Sequence, residues 1–126
     1  MSDIILHIIP REQWANLQGQ SEYEGDTLKS EGFIHFSTPN QVVMVANARF
    51  KGHTGLQLLV VDPAKLRAEL KYEPPYETNP DGAIAAQARD QLFPHLFGPL
   101  NLDAVVRAVD FEPGEDGYFT LPDLGN

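Results

Sequence analysis

Six residues, Gly32-Phe33-Ile34-His35-Phe36-Ser37, constrain this chain more than any other stretch. At the two-residue period of a strand, Phe33, His35 and Ser37 share one face, and Ile34 and Phe36 share the other. The next four residues, Thr38-Pro39-Asn40-Gln41, spell a helix start. Thr38 is the N-cap, Pro39 takes the first helical position, and Gln41 completes a capping box. The strand must therefore end with an aromatic ring, an imidazole and a hydroxyl on one face, a common setting for a ligand site in a small mixed domain. A second histidine stands in an equally particular context, Phe93-Pro94-His95-Leu96-Phe97-Gly98-Pro99. Together the two segments predict one site.

The flanking pattern supplies a frame. Residues 3–9 read as an opening strand whose apolar continuity predicts burial on both faces, and residues 56–61 read as a second. Pro10 suits the first turn of a short helix over 11–17. Residues 19–25 form a polar loop in which Tyr23 is the lone aromatic. Asp26 caps a short helix over 27–31, and Gly32 closes it in the left-handed conformation. The helix after Thr38 places Val42, Val45, Ala46 and Phe50 at helical spacing and ends at Gly52 and Gly55. Asp62-Pro63 opens a short helix through Glu69, followed by a brief strand over 70–73 and a turn-rich loop over 74–81. Residues 83–91 read as a weak helix or an ordered lid, and residues 92–96 as extended. Asn101 or Asp103 caps one turn before a strand near 104–111, and a last strand is expected over 118–121. Strands and helices do not alternate cleanly. The expected fold is α+β, a single domain over residues 1–126, with a bent or split mixed β-sheet and short helices.

Composition narrows the function. A chain of 126 residues that is 42% hydrophobic can bury one core without staples. It has no cysteine, which excludes disulfides, thiolate nucleophiles and Cys-ligated metals. The net charge is −9 and the nine basic residues are scattered, so DNA is not an expected partner and RNA is an unlikely one. A local basic pocket remains compatible with one nucleotide. No basic leader precedes the first apolar run and no stretch approaches the length of a membrane span, so a cytoplasmic protein with no membrane partner is expected. Serine-hydrolase, P-loop and dinucleotide-binding signatures are absent from the sequence.

Seven residues carry the site hypothesis. His7, between Leu6 and Ile8, reads either as a histidine satisfied by main-chain bonds or as a group pointing into a cleft beside the next strand. His35 can orient a substrate hydroxyl, and an imidazole titrates near neutral pH, which suits proton transfer. His95 is held by Pro94, either for preorganisation or within an aromatic–proline cluster. Glu73, between Tyr72 and Pro74-Pro75, is placed for a general base or an oxocarbenium stabiliser, or else is a solvated carboxylate. His35, Glu73 and His95 are the catalytic candidates. His7, Phe33, Ser37 and Tyr72 are the ligand-binding candidates, with the two aromatics offering planar faces. His53, in a glycine-flanked turn, reads as a surface residue. No histidine pair has local metal-ligand spacing, and no metal is expected.

These residues give the chain a family likeness. Leu6-His7-Ile8, Gly32-Phe33-Ile34-His35-Phe36-Ser37 with Gln41, Glu73, and Phe93-Pro94-His95-Leu96-Phe97-Gly98-Pro99-Leu100 resemble a family of short, mostly bacterial proteins known as domain of unknown function 952. Position 97 is Phe where that family more often has tyrosine. The family has no established activity. More remotely it resembles the ADP-ribosyltransferase superfamily, including the RNA 2′-phosphotransferases. That resemblance implies a split sheet whose central cleft grips NAD. A first-strand histidine, here matched by His7, holds the nicotinamide ribose. A second strand and aromatics clamp the ring, which places His35 and Ser37, and a late glutamate assists an oxocarbenium-like transition state. Glu73 precedes the last strands rather than following them. The implied ligand is NAD or another small nucleotide-like molecule, processed by a transferase or held by a non-catalytic binding module.

Overall fold

The computed structural model describes residues 4–25, 27–74 and 92–124. The expected cap at Asp26, most of the loop over 74–81 and the helix over 83–91 lie outside these residues. In chain order the elements are β1 (Ile5–Pro10), α1 (Arg11–Asn16), β2 (Glu22–Tyr23), α2 (Leu28–Glu31), β3 (Ile34–His35), α3 (Val42–Arg49), β4 (Leu56–Val61), β5 (Glu69–Glu73), β6 (Phe93–Phe97), β7 (Leu100–Asn101) and β8 (Val105–Phe111). Single 3-10 turns occupy Pro63–Lys65 and Leu102–Ala104.

The two apolar runs, β1 and β4, pair antiparallel, and β8 adds to the far side of β4. Their continuity is explained by burial on both faces. Ile5 and Ile9 of β1 and Leu59 and Val61 of β4 enter one cluster with Tyr23, Ile34, Phe36 and Leu96. Leu6, Leu56, Leu58 and Val60 point the other way, onto Val42 and Ala46 of α3 and onto Phe111 and Phe119. Each such aliphatic side chain contributes about 1.5–3 kcal/mol by leaving water. A second sheet has the order β3-β6-β5, with Ile34 opposite Leu96 and His35 opposite His95.

The two sheets meet at one isolated bridge, in which Leu6 and Ser37 exchange main-chain hydrogen bonds of 2.7 and 2.8 Å. One residue earlier the chain still belongs to the other sheet, since the Phe36 N–H donates to the Pro94 carbonyl at 3.0 Å. The segment after His35 therefore crosses from β6 to β1, and the surface splits there. A split sheet is what the sequence predicts. The mixed character that the sequence also predicts is not found: every strand pairing among the described residues is antiparallel. The passage from β1 to β4 through α1, β2, α2, β3 and α3 returns the chain in the opposite sense and makes no parallel crossover.

Local signals explain the element ends. The Gln41 side-chain oxygen accepts from the Thr38 N–H at 3.1 Å, but across a turn: α3 starts at Val42 with Gln41 at its N-cap position, not at Pro39 after a Thr38 cap. Gly32 closes α2 at φ 91°, a conformation glycine adopts without the Cβ penalty. Asp62 caps the Pro63 turn by accepting from the Ala64 N–H at 3.0 Å. That turn stops at Lys65 rather than running to Glu69, because Leu66 is already extended (ψ 142°) and Glu69 starts β5. The polar loop over 19–25 contains β2, which pairs with β7 and buries Tyr23. No strand forms over 118–121. Phe119 instead stacks on Phe111 with centroids 4.6 Å apart, its N–H donates to the Asn47 side chain at 2.7 Å, and Lys51 lies over the Tyr118 ring. Side-chain docking takes the place of a ladder. Among the described residues, no helix is long and apolar enough to cross a membrane.

Candidate functional site

A cleft of about 280 Å³ opens where β1 and β3 part. His7 and Ile8 form one side, and His35, Phe36 and Ser37 face them. Phe93 and His95 of β6 form the floor. Val45, Arg49 and Phe50 extend the wall from the far end of α3, and Tyr23 and Glu31 enter from β2 and α2. Arg49 is exposed at the mouth. The most deeply buried cleft groups are aliphatic or aromatic, with imidazoles set among them.

The His7 ring sits in the split itself. Continuing the ladder from the Leu6–Ser37 bridge would bring the Ile8 N–H to the His35 carbonyl. That carbonyl is instead bonded to His7 Nδ1 at 2.7 Å. A carbonyl only accepts, so His7 carries its proton on Nδ1. Its Nε2 then accepts from the Tyr23 hydroxyl at 3.2 Å. Tyr23 and Phe36 flank the ring at centroid distances of 5.5 and 5.4 Å.

His35 and His95 stand directly opposite on paired strands, with ring centroids 5.6 Å apart and edge-on. Each is backed by a carboxylate from a different element. His35 Nε2 lies 2.6 Å from Glu31 Oε1, and the left-handed turn at Gly32 folds the chain so that these residues meet. Burial pushes the His35 pKa below its ordinary value. Hydrogen bonding and charge from Glu31 oppose that shift, and His95 and Arg49 add to it. The close contact alone suggests an ion pair, but burial dominates, so the contact at neutral pH is a neutral imidazole donating to a carboxylate. His95 is 2% exposed, and its Nδ1 donates to Glu73 Oε1 at 2.9 Å. Its proton is thus fixed on Nδ1, and the lone pair lies on Nε2.

The sequence candidates divide on this geometry. His7, His35, Ser37 and His95 all line the cleft. Ser37 is buried and its main chain makes the bridge to Leu6. Glu73 is not on the wall and reaches the site through His95. Phe33 is buried and is not on the wall, and its ring packs 4.1 Å from the His95 ring and 4.9 Å from that of His35. Tyr72 is opposite Pro94 on β5, 46% exposed, and does not line the cleft. Alternation carries it away from the site, while Glu73, its neighbour, turns toward His95. The wall residues missed include Tyr23, Glu31 and Arg49. Glu31 had a faint signal, four residues before His35 across a helix-closing glycine. Tyr23 and Arg49 had none, because a loop and a helix end reach the cleft by tertiary packing alone. Among the described residues, no group of three or more His, Asp or Glu side chains is disposed to hold a metal ion.

The family model described as "Protein of unknown function (DUF952)" matches residues 8–108. The chain is similar to the X-ray crystal structure of protein CC0527 from Caulobacter crescentus, at 31% identity over 94% of each chain and a TM-score of 0.72. The double-mutant crystal structure of that protein matches at 30% identity, again over 94% of each chain, with a TM-score of 0.72. Its solution NMR structure matches at 28% identity over 92% of this chain and 90% of the other, with a TM-score of 0.65. No curated protein matches the chain.

Proposed function

From the premise that this chain belongs to the DUF952 family, whose function is unknown, we propose that its cleft binds an ADP-ribose-type ligand, NAD among them, and that the protein is a small transferase acting on it. The observation that carries this reading is the meeting of His7, His35 and His95, from three strands, in one cleft with a cation at its mouth. Ribose hydroxyls fit the Tyr23 hydroxyl, His35 and Ser37. Phosphate charge fits Arg49. The resemblance of the sequence to ADP-ribosyltransferases supports this reading, in which Tyr23 and Phe36 serve as the aromatic walls in place of Phe33 and Tyr72.

Chemistry in this reading centres on His95. Its Nε2 takes the proton of an acceptor hydroxyl while Glu73 steadies the imidazolium that forms. The acceptor oxygen bonds to the ribose carbon, and the bond from that carbon to nicotinamide breaks. The electron pair leaves with nicotinamide, which departs neutral, and the proton passes from His95 to water. Glu73 is then a positioning residue and His95 the group that meets the reacting atoms.

The second reading is a non-catalytic module for a nucleotide-like ligand. In its favour, both His7 ring nitrogens already have partners within the protein, and Glu73 stands off the wall. Amide shifts on titration with NAD, ADP-ribose and nicotinamide test both readings, paired with an assay for released nicotinamide. The expected result is early perturbation of His7, His35 and Ser37, before His53 or the C-terminal residues, with nicotinamide released. Shifts without release favour the binding module. No shifts at those residues up to millimolar ligand overturn the ligand class.

A further inference from the structure

Glu31 is the one acidic residue on the cleft wall among the described residues. Its side chain is only 17% exposed. Oε1 accepts from His35 Nε2 at 2.6 Å, and the other oxygen accepts no hydrogen bond from any described residue. The imidazole that bonds it is neutral near pH 7, because burial lowers the His35 pKa, and a neutral donor does not cancel a carboxylate's charge. Tyr23 and Phe36, whose rings flank His7, line the same cleft. The cleft's cation, Arg49, is exposed at the mouth.

We infer that Glu31 is the counter-ion that makes this cleft select a planar cationic ring over its neutral counterpart. A carboxylate that shares a partly desolvated cleft with aromatic rings favours a cation there on two counts, charge attraction and ring quadrupole. The net charge of −9 draws cations toward the protein at long range. With Glu31 inside and Arg49 at the mouth, the cleft fits a ligand that is positive at one end and anionic at the other. A pyridinium ring joined to a phosphate has that polarity. The inference deepens the reading of the site as one for an NAD-type ligand, and it assigns to Glu31 the charge role that sequence analysis gave to Glu73.

The test compares nicotinamide with its ring-nitrogen-methylated, cationic form, read as amide shifts on the full chain. NAD, reduced NAD and ADP-ribose are titrated in parallel. The cation is expected to bind about tenfold or more tightly than the neutral ring, with shifts at Tyr23, Glu31 and His35. NAD is expected to exceed its reduced form in the same sense, and Glu31→Gln to erase both preferences. Equal binding of cation and neutral ring by the wild-type protein overturns the inference, whether or not the variant folds. So does a Glu31→Gln protein that keeps the preference. ADP-ribose lacks the ring, so it reports separately: its failure to bind counts against the ADP-ribose ligand class, while loss of charge preference alone counts against Glu31.

Discussion

His7 Nδ1 donates to the main-chain carbonyl of His35 at 2.7 Å, and this side-chain bond occupies the place of the next rung between β1 and β3. A histidine in an otherwise apolar strand thereby ends a ladder and opens a cleft. At the open edge the His35 carbonyl keeps a partner, since the imidazole supplies the donor that the Ile8 N–H would have supplied. Packing and site formation are one event at this position.

The first prediction follows from that bond. His7→Ala leaves the His35 carbonyl short of a partner in a part-buried setting and should destabilise the fold by about 1–3 kcal/mol. Tyr23→Phe removes only the hydroxyl on Nε2 and should cost about 0.5–1.5 kcal/mol. Urea unfolding of both variants checks the order. If His7→Ala were no more costly than Tyr23→Phe, the bond would not be what holds the split.

Neighbouring residues of the central motif should differ sharply. Ile34 is fully buried and Phe36 is 3% exposed, both in the core cluster shared with β1 and β4. Truncating either to Ala should cost roughly 2–5 kcal/mol. His35→Ala should cost much less, since the His35 side chain is 35% exposed in the cleft. Chemical denaturation of the three variants would refute this if His35→Ala unfolded as readily as Ile34→Ala.

Acid should weaken the protein through His35. Its folded pKa lies below the ordinary value of 6.5, with burial the leading cause. Below the ordinary value the unfolded chain takes up a proton that the folded chain still refuses. Stability is therefore complete above that pH, falls as pH drops through it, and levels off once the folded pKa is passed. Glu31 limits the loss by favouring the proton, while Arg49 and His95 deepen it. Melting temperature against pH should show a shallower acid decline in His35→Asn than in the wild type, and parallel curves would contradict this assignment.

Glu73→Gln should leave the fold intact, because the Glu73 side chain is 39% exposed and lies outside the core clusters. It removes the charge that supports protonated His95. Nitrogen chemical shifts of the His95 ring should move, and any nicotinamide release should fall. His95→Gln should lower that release by roughly 10²-fold or more. An unchanged His95 ring signal in Glu73→Gln would dismiss the positioning role.

Nucleic acid should not bind measurably at physiological salt. The net charge is −9, and Arg11 and Arg67 are held by Asp110, Glu112 and Asp103. Fluorescence anisotropy with labelled RNA and duplex DNA checks this. Micromolar binding with a steep salt dependence would show instead that the scattered cations converge on a backbone.

What the amino-acid order determined by itself was local. The apolar continuity of β1 and β4 announced strands buried on both faces, and the packing of alternate residues into two clusters follows from it. Gln41 folds back on Thr38, and Gly32 turns left-handed, because each needs only near neighbours. His35 and His95 stood out by their settings. Tertiary structure alone decided that the two are cross-strand partners, since their pairing depends on where β6 docks and no periodicity encodes that. It also brought in Tyr23 from a two-residue strand and Arg49 from a helix end, and moved Tyr72 off the wall while Glu73 reached His95. The physical reason is range. Caps, turns and alternation act over a few residues, whereas a cleft exists only where distant segments fail to complete one another's hydrogen bonds. Here that failure occurs between β1 and β3, at the rung after the Leu6–Ser37 bridge.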